Sequence, residues 1–180
     1  MKRLFLIAGL TAFLSLAALA AAGDSPNFSG TWSLDKAKSQ GLDQRMANAE
    51  SVTCVITQDD KNISIEWKVV GGQPPAGGGP GGGGGGMGRG AGGPRVYNLD
   101  GKEATTEAGG GTSTLKATWS GDGKTLELVS VRAGNFNGNE FKATTTDKLS
   151  LSEDGKTMTV NRHSESPRGT TDSTLVLNKQ

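Results

Sequence analysis

The sequence predicts an all-β domain: an antiparallel up-and-down meander of about ten strands closed into a small barrel. Three observations carry that prediction. Apolar and polar residues alternate with a period of two through most of the chain. Asp-Gly and Asp-Asp pairs punctuate the alternation. The strand-like runs are rich in Thr, whose branched side chain suits a pleated surface.

The alternation is explicit. Ile63, Ile65, Trp67 and Val69 interleave with Ser64, Glu66, Lys68 and Val70, and Leu115, Ala117 and Trp119 with Thr114, Lys116, Thr118 and Ser120. Phe141, Ala143, Thr145, Leu149 and Leu151 share one parity. Such a period marks strands with one face buried and one in water. Asp59-Asp60, Asp100-Gly101, Asp122-Gly123 and Asp154-Gly155 each separate two of these runs, and Asp-Gly supplies the positive φ of a tight hairpin. The runs 121–126 (GDGKTL) and 153–158 (EDGKTM) are near copies of one turn. Strands are predicted over 28–34, 51–58, 61–70, 95–99, 102–107, 112–120, 124–132, 139–151, 156–164 and 171–178. Closing the meander removes edges that would otherwise aggregate.

Two stretches break the pattern. Between residues 35 and 50, Leu42, Met46 and Ala49 fall at helical spacing, which predicts one short helix after the first strand, limited by Gly41. Residues 71–94 hold 15 glycines with Pro74, Pro75, Pro80 and Pro94, and almost nothing apolar. That composition cannot offset the entropy of ordering, so a flexible loop between two strands is expected.

The first 22 residues read as a cleavable export signal. Lys2 and Arg3 precede an uncharged run from Leu4 to Ala22, which ends in small residues. The run is shorter than a spanning helix wants, so no membrane span is expected in the mature protein. A single domain over residues 23–180, periplasmic or extracellular, is therefore predicted. Losing Lys2 and Arg3 takes the formal charge from +1 to −1. Neither value makes a basic field for nucleic acid.

Chemistry-bearing motifs are sparse. A single cysteine, Cys54, leaves no partner for an internal disulfide, and its β-like setting predicts a buried, inert thiol. Gly121-Asp122-Gly123-Lys124-Thr125 resembles the end of a phosphate loop but has Thr118 where the first Gly belongs, and a strand follows it. The lone His163 lacks the companions of a metal site and any nucleophile motif, and reads as a partly exposed strand residue. Arg89 and Arg95 are too few for an Arg-Gly nucleic-acid tail. No catalytic residue, metal or cofactor is predicted.

Phe28-Ser29-Gly30-Thr31-Trp32 opens the mature domain. It resembles the Gly-x-Trp opening of the calycin superfamily, which includes lipocalins, fatty-acid-binding proteins and avidins. The whole chain resembles secreted, lipocalin-like proteins of environmental bacteria. The resemblance implies a barrel whose bottom is closed by Trp32, with Gly30 as its companion. It also implies a late Arg stacked on that Trp, but residues 171–178 hold none and Arg162 is the nearest strand candidate. The Arg-x-Tyr pair of fatty-acid-binding proteins falls on Leu175 and Leu177.

The leading functional reading is an exported, non-enzymatic binding protein taking a small apolar or amphipathic molecule into the barrel mouth. Trp67, Trp119 and Phe141 are its candidate ligand contacts, with Tyr97 near the rim. The alternative is a structural or interaction protein whose barrel is filled by side chains. An enzyme of unknown type is the third and least supported reading.

Overall fold

The computed structural model describes residues 25–71, 93–108, 111–136 and 139–180. The proposed signal segment, and residues 72–92 of the Gly/Pro-rich stretch, lie outside them. Within them the alternating runs become strands in chain order: β1 (Gly30–Leu34), β2 (Ala49–Gln58), β3 (Asn62–Gly71), β4 (Arg95–Asn98), β5 (Ala104–Ala108), β6 (Gly111–Trp119), β7 (Leu126–Phe136), β8 (Asn139–Leu151), β9 (Thr157–Ser166) and β10 (Gly169–Lys179). All ten form one antiparallel sheet in the order β4-β3-β2-β1-β10-β9-β8-β7-β6-β5. The ring closes through β1 and β10, where Trp32 pairs with Lys179 and Leu34 with Leu177. β4 and β5, consecutive in sequence, share no ladder; they are the two edges of the sheet, and β4 comes to rest against β6. The fold is a nearly closed, ten-stranded antiparallel barrel with one short helix after its first strand, as predicted.

Some boundaries shift for local reasons. Phe28 and Ser29 precede β1 rather than extending it, because they turn inward to meet Gln58: Phe28 N donates to Gln58 Oε1 and Gln58 N to Ser29 Oγ. β7 runs four residues past its expected end at Arg132, because it pairs throughout with the long β8, from Leu126–Leu149 to Phe136–Asn139. The helix α1 (Gln44–Asn48) is a single turn. Asp43 caps it by accepting from Met46 N at 2.7 Å, and Ala49 already leaves in an extended conformation. Gly41 has φ +66°, and a Cβ there would lie 2.3 Å from the Asp172 carbonyl oxygen. Only glycine allows the chain to pass that close to β10 before entering the helix.

The two barrel ends are built differently. At one end lie the turns β2–β3, β4–β5, β6–β7 and β8–β9, which carry the four Asp pairs. In two of them the same bonds recur. Ser120 Oγ donates to Asp122 while Lys124 N donates to the same carboxylate and Thr125 N to Ser120 Oγ. Ser152, Asp154, Lys156 and Thr157 repeat the set. These bonds hold the Asp122 and Asp154 carboxyls below their ordinary pKa, the serine hydroxyl contributing most and the lysine amide next. At the opposite end lie α1, the β9–β10 turn and the last residues of β3, β5 and β7.

The buried core occupies the inner face nearest the Asp-turn end and continues toward the helix along β2, where Val52, Ala49 and Met46 are buried. It includes Phe28, Trp32, Ile63, Leu126, Met158, Leu175 and Leu177, all essentially inaccessible to water. Cross-strand register stacks them in rows, such as Leu34–Leu177–Met158–Leu151 and Leu175–Val160–Leu149–Leu126–Trp119. Each fully buried side chain of this kind contributes about 1.5–3 kcal/mol.

Candidate ligand site in the barrel interior

The Asp-turn end is plugged. Trp32 is fully buried and its indole N–H donates to the Phe28 carbonyl at 2.9 Å. Trp119, one of the four candidate ligand contacts, stacks on Phe28 with ring centroids 6.1 Å apart, which places it in this plug. The cation over Trp32 is the Lys179 ammonium, 5.3 Å from the ring centroid. It takes the place in which the resemblance expects an arginine. Gly30 has φ +140°, and a Cβ there would come within 3.0 Å of the Lys179 stem. Gly30 and Trp32 thus act together, with Lys179 as the partner that sequence reasoning missed by looking for Arg over 171–178.

Midway along the barrel the inner face changes character. Arg162, on the same face of β9 as Met158 and Val160, meets Asp147 of β8 in a bidentate pair, Nε–Oδ1 2.6 Å and Nη2–Oδ2 2.7 Å. The two side chains are only 8% and 13% exposed. Burial alone pulls the Arg162 pKa down, but the Asp147 charge and hydrogen bonds outweigh it, and the net shift is upward. The guanidinium also covers the Trp67 ring at 5.6 Å. Tyr97, expected near the rim, is instead buried beside Ile63, and desolvation raises its pKa. The correction follows from register: β4 is short, and Tyr97 lies at its Asp-turn end. Trp67, Tyr97, Cys54 and Asp147 help to line a void of about 20 Å³. That is room for about one water, not for a ligand.

On β6–β9, beyond the Arg162–Asp147 pair toward the helix end, the inner face is largely polar and only partly buried, whereas Val52, Ala49 and Met46 remain buried on the β2 and α1 side. Thr145 and Ser164 sit next to the pair, buried, with hydroxyl oxygens 3.3 Å apart. The register then carries Ser130, Ala143, Arg132, Ser113, Ser166 and Phe141 on the inward parity, and none of these six is buried. Across the barrel Trp67 and Val69 are likewise only partly buried. We term this partly exposed stretch of inner surface, with the Thr145 and Ser164 hydroxyls at its base and Trp67 and Phe141 beside it, the cup. Arg132 lies 5.9 Å over the Phe141 ring at its rim. Of the four candidate contacts, the structure brings Trp67 and Phe141 to this cup, buries Tyr97 beneath it and assigns Trp119 to the plug.

The pairing of Arg162 with Asp147 was also missed, although a signal existed. Each sits on the apolar parity of its strand, and opposite charges on the inward faces of adjacent strands are matched when buried. Cys54 is buried as predicted, and burial pushes its thiol pKa up to about 12. His163 lies outside the barrel, partly exposed as predicted. Its Nδ1 meets Asp172 at 2.6 Å and its Nε2 meets Glu165 at 3.3 Å; these bonds, Asp172 first, raise its pKa above 6.5. It borders a shallow outer groove of about 510 Å³ with Gln40, Thr146, Lys148, Asn161 and Thr174. Among the described residues no helix is long and apolar enough to cross a membrane.

No family model and no curated protein matches the chain. Among solved structures it is similar to zebrafish ileal bile acid-binding protein complexed with cholic acid. Sequence identity is 13%, the TM-score is 0.49, and the match covers 85% of this chain and 98% of that one.

Proposed function

We propose that the protein is a non-enzymatic binding barrel that holds a small amphipathic molecule in the cup at its helix end. The observation that carries this reading is the exposure of inward-facing residues. Side chains on the inside of a side-chain-filled barrel are buried, whereas Trp67, Val69, Phe141, Ser113 and Ser130 are only partly so. Apolar walls with a few convergent polar groups are the usual composition of a small-molecule site. Chemistry at the two reactive side chains is disfavoured. The Cys54 thiol is buried and held protonated, and both ring nitrogens of His163 are engaged by carboxylates. We further propose that the leader over residues 1–22 exports the chain; intact-mass analysis of exported protein is expected to give an amino terminus between Ala21 and Asp24.

Titration with an environment-sensitive apolar dye tests the binding reading. Wild type is expected to bind, Trp67→Ala and Phe141→Ala to weaken binding at least fivefold, and Trp119→Ala to leave affinity unchanged once folding is verified. The void of only about 20 Å³ favours a second reading, a side-chain-filled barrel with no ligand. Wild type that binds no dye would establish it.

A further inference from the structure

We infer that Asp147 is a built-in counter-ion, which makes the floor of the cup accept the uncharged, hydrogen-bonding end of a ligand and reject an acid. The inference rests on the binding reading above and names the ligand class. An arginine inside a barrel is ordinarily an invitation to a carboxylate or phosphate, because its planar fork matches two acceptor oxygens. Here both oxygens of Asp147 already fill that fork, at 2.6 and 2.7 Å, and Trp67 covers a face of the guanidinium. An acidic ligand end would have to displace Asp147, leaving a buried carboxylate unpaired, or settle beside it against like charge. Both are unfavourable because the pair itself is largely buried, at 8% and 13% exposure.

The neighbours of the pair suit an uncharged end. Thr145 and Ser164 each carry one donor and two acceptor positions, and their contact at 3.3 Å leaves capacity for a ligand hydroxyl or carbonyl. Ser130 continues the hydroxyl row next to Thr145. Arg132 is exposed and screened by water and salt, so it adds little selectivity at the floor. Arg95, which lines the void with Tyr97 and Asp147, is unchanged in every variant below, so its pull on an acid is common to all of them.

The test uses full-length mature protein at pH 8 and two probes with one chain length, 1-dodecanol and dodecanoate, displacing a bound dye. The alcohol leaves water more readily than the ion in every variant, so the ratio of the two affinities, compared between variants, is the readout. Asp147→Asn frees the guanidinium and is expected to move that ratio at least tenfold toward dodecanoate. A folded Asp147→Asn with an unchanged ratio overturns the inference while leaving the binding reading intact. Wild type that binds neither probe nor dye overturns both. Thr145→Val/Ser164→Ala, which keeps the buried pair and nearly the same volume, covers the case in which Asp147→Asn does not fold. It should weaken dodecanol at least threefold and leave dodecanoate unchanged, and equal affinities for dodecanol in this variant and wild type also overturn the inference.

Discussion

The two ends of the barrel use the same period-two strands for opposite purposes. At the Asp-turn end the inward residues are large and apolar, the turns are short and cross-bonded, and Trp32 is wholly buried under Lys179. At the helix end the same parity of β6–β9 carries Ser, Thr, Ala, Arg and a partly buried Phe141, while only the β2 and α1 side keeps buried apolar residues, Val52, Ala49 and Met46. Alternation alone therefore says which residues face inward, not whether the inside is full. Side-chain size and polarity along one parity decide that.

The largest test of this contrast is at the plug and the buried pair. Trp32→Ala is expected to cost roughly 3–5 kcal/mol, as large core truncations do. Arg162→Leu alone should cost about 3–5 kcal/mol, because it strands the Asp147 charge. Denaturant melts measure both. Losses below about 1 kcal/mol at both sites would mean the Asp-turn half is no more essential than the cup. Phe141→Ala then sharpens the comparison from the other side: a partly buried ring on the cup wall should cost less than Trp32, about 1–2 kcal/mol in the same melts. A loss equal to that of Trp32→Ala would erase the distinction.

The smallest effect lies outside the barrel altogether. His163 is the only histidine, so its ring protons titrate without overlap in an NMR spectrum. The midpoint is expected above 6.5, since Asp172 and Glu165 favour the imidazolium. Because the folded pKa is raised, the stabilising contribution is complete below 6.5 and disappears as pH climbs through the folded midpoint. Asp172→Asn should bring the midpoint down toward 6.5. A wild-type midpoint at or below 6.5 would show that these exposed contacts do not persist in solution.

Much of the architecture was legible because it depends on local rules. Ile63, Ile65, Trp67 and Val69 announced β3, and Asp122-Gly123 and Asp154-Gly155 announced their hairpins. The seam between β4 and β5 was not legible, since Asp100-Gly101 reads like any other hairpin turn and nothing nearby records that the strands diverge. The site was legible only in part. Trp67 and Phe141 reach the cup through their parity, but Trp119, on the same kind of parity, belongs to the plug because it ends β6 at the Asp-turn side. Position along a strand, which alternation does not encode, separates them.

The junction of β1 with β10 has a consequence for how the molecule is made. Six of the eight other ladders join strands separated by six residues or fewer, which can pair soon after both exist. Trp32 and Lys179 come from opposite extremes of the domain, and Gln180 N donates to the Thr31 carbonyl at 2.9 Å beside them. The ring cannot close until the final strand has left the ribosome, however early the other hairpins form. Until that moment β1 and β9 each expose an unpaired edge. Closing so long a loop also makes the last step slow relative to the local ones. A nascent chain held just short of β10 should therefore be a protease-sensitive, aggregation-prone curl of sheet. Release of β10 should convert it cooperatively into the resistant barrel.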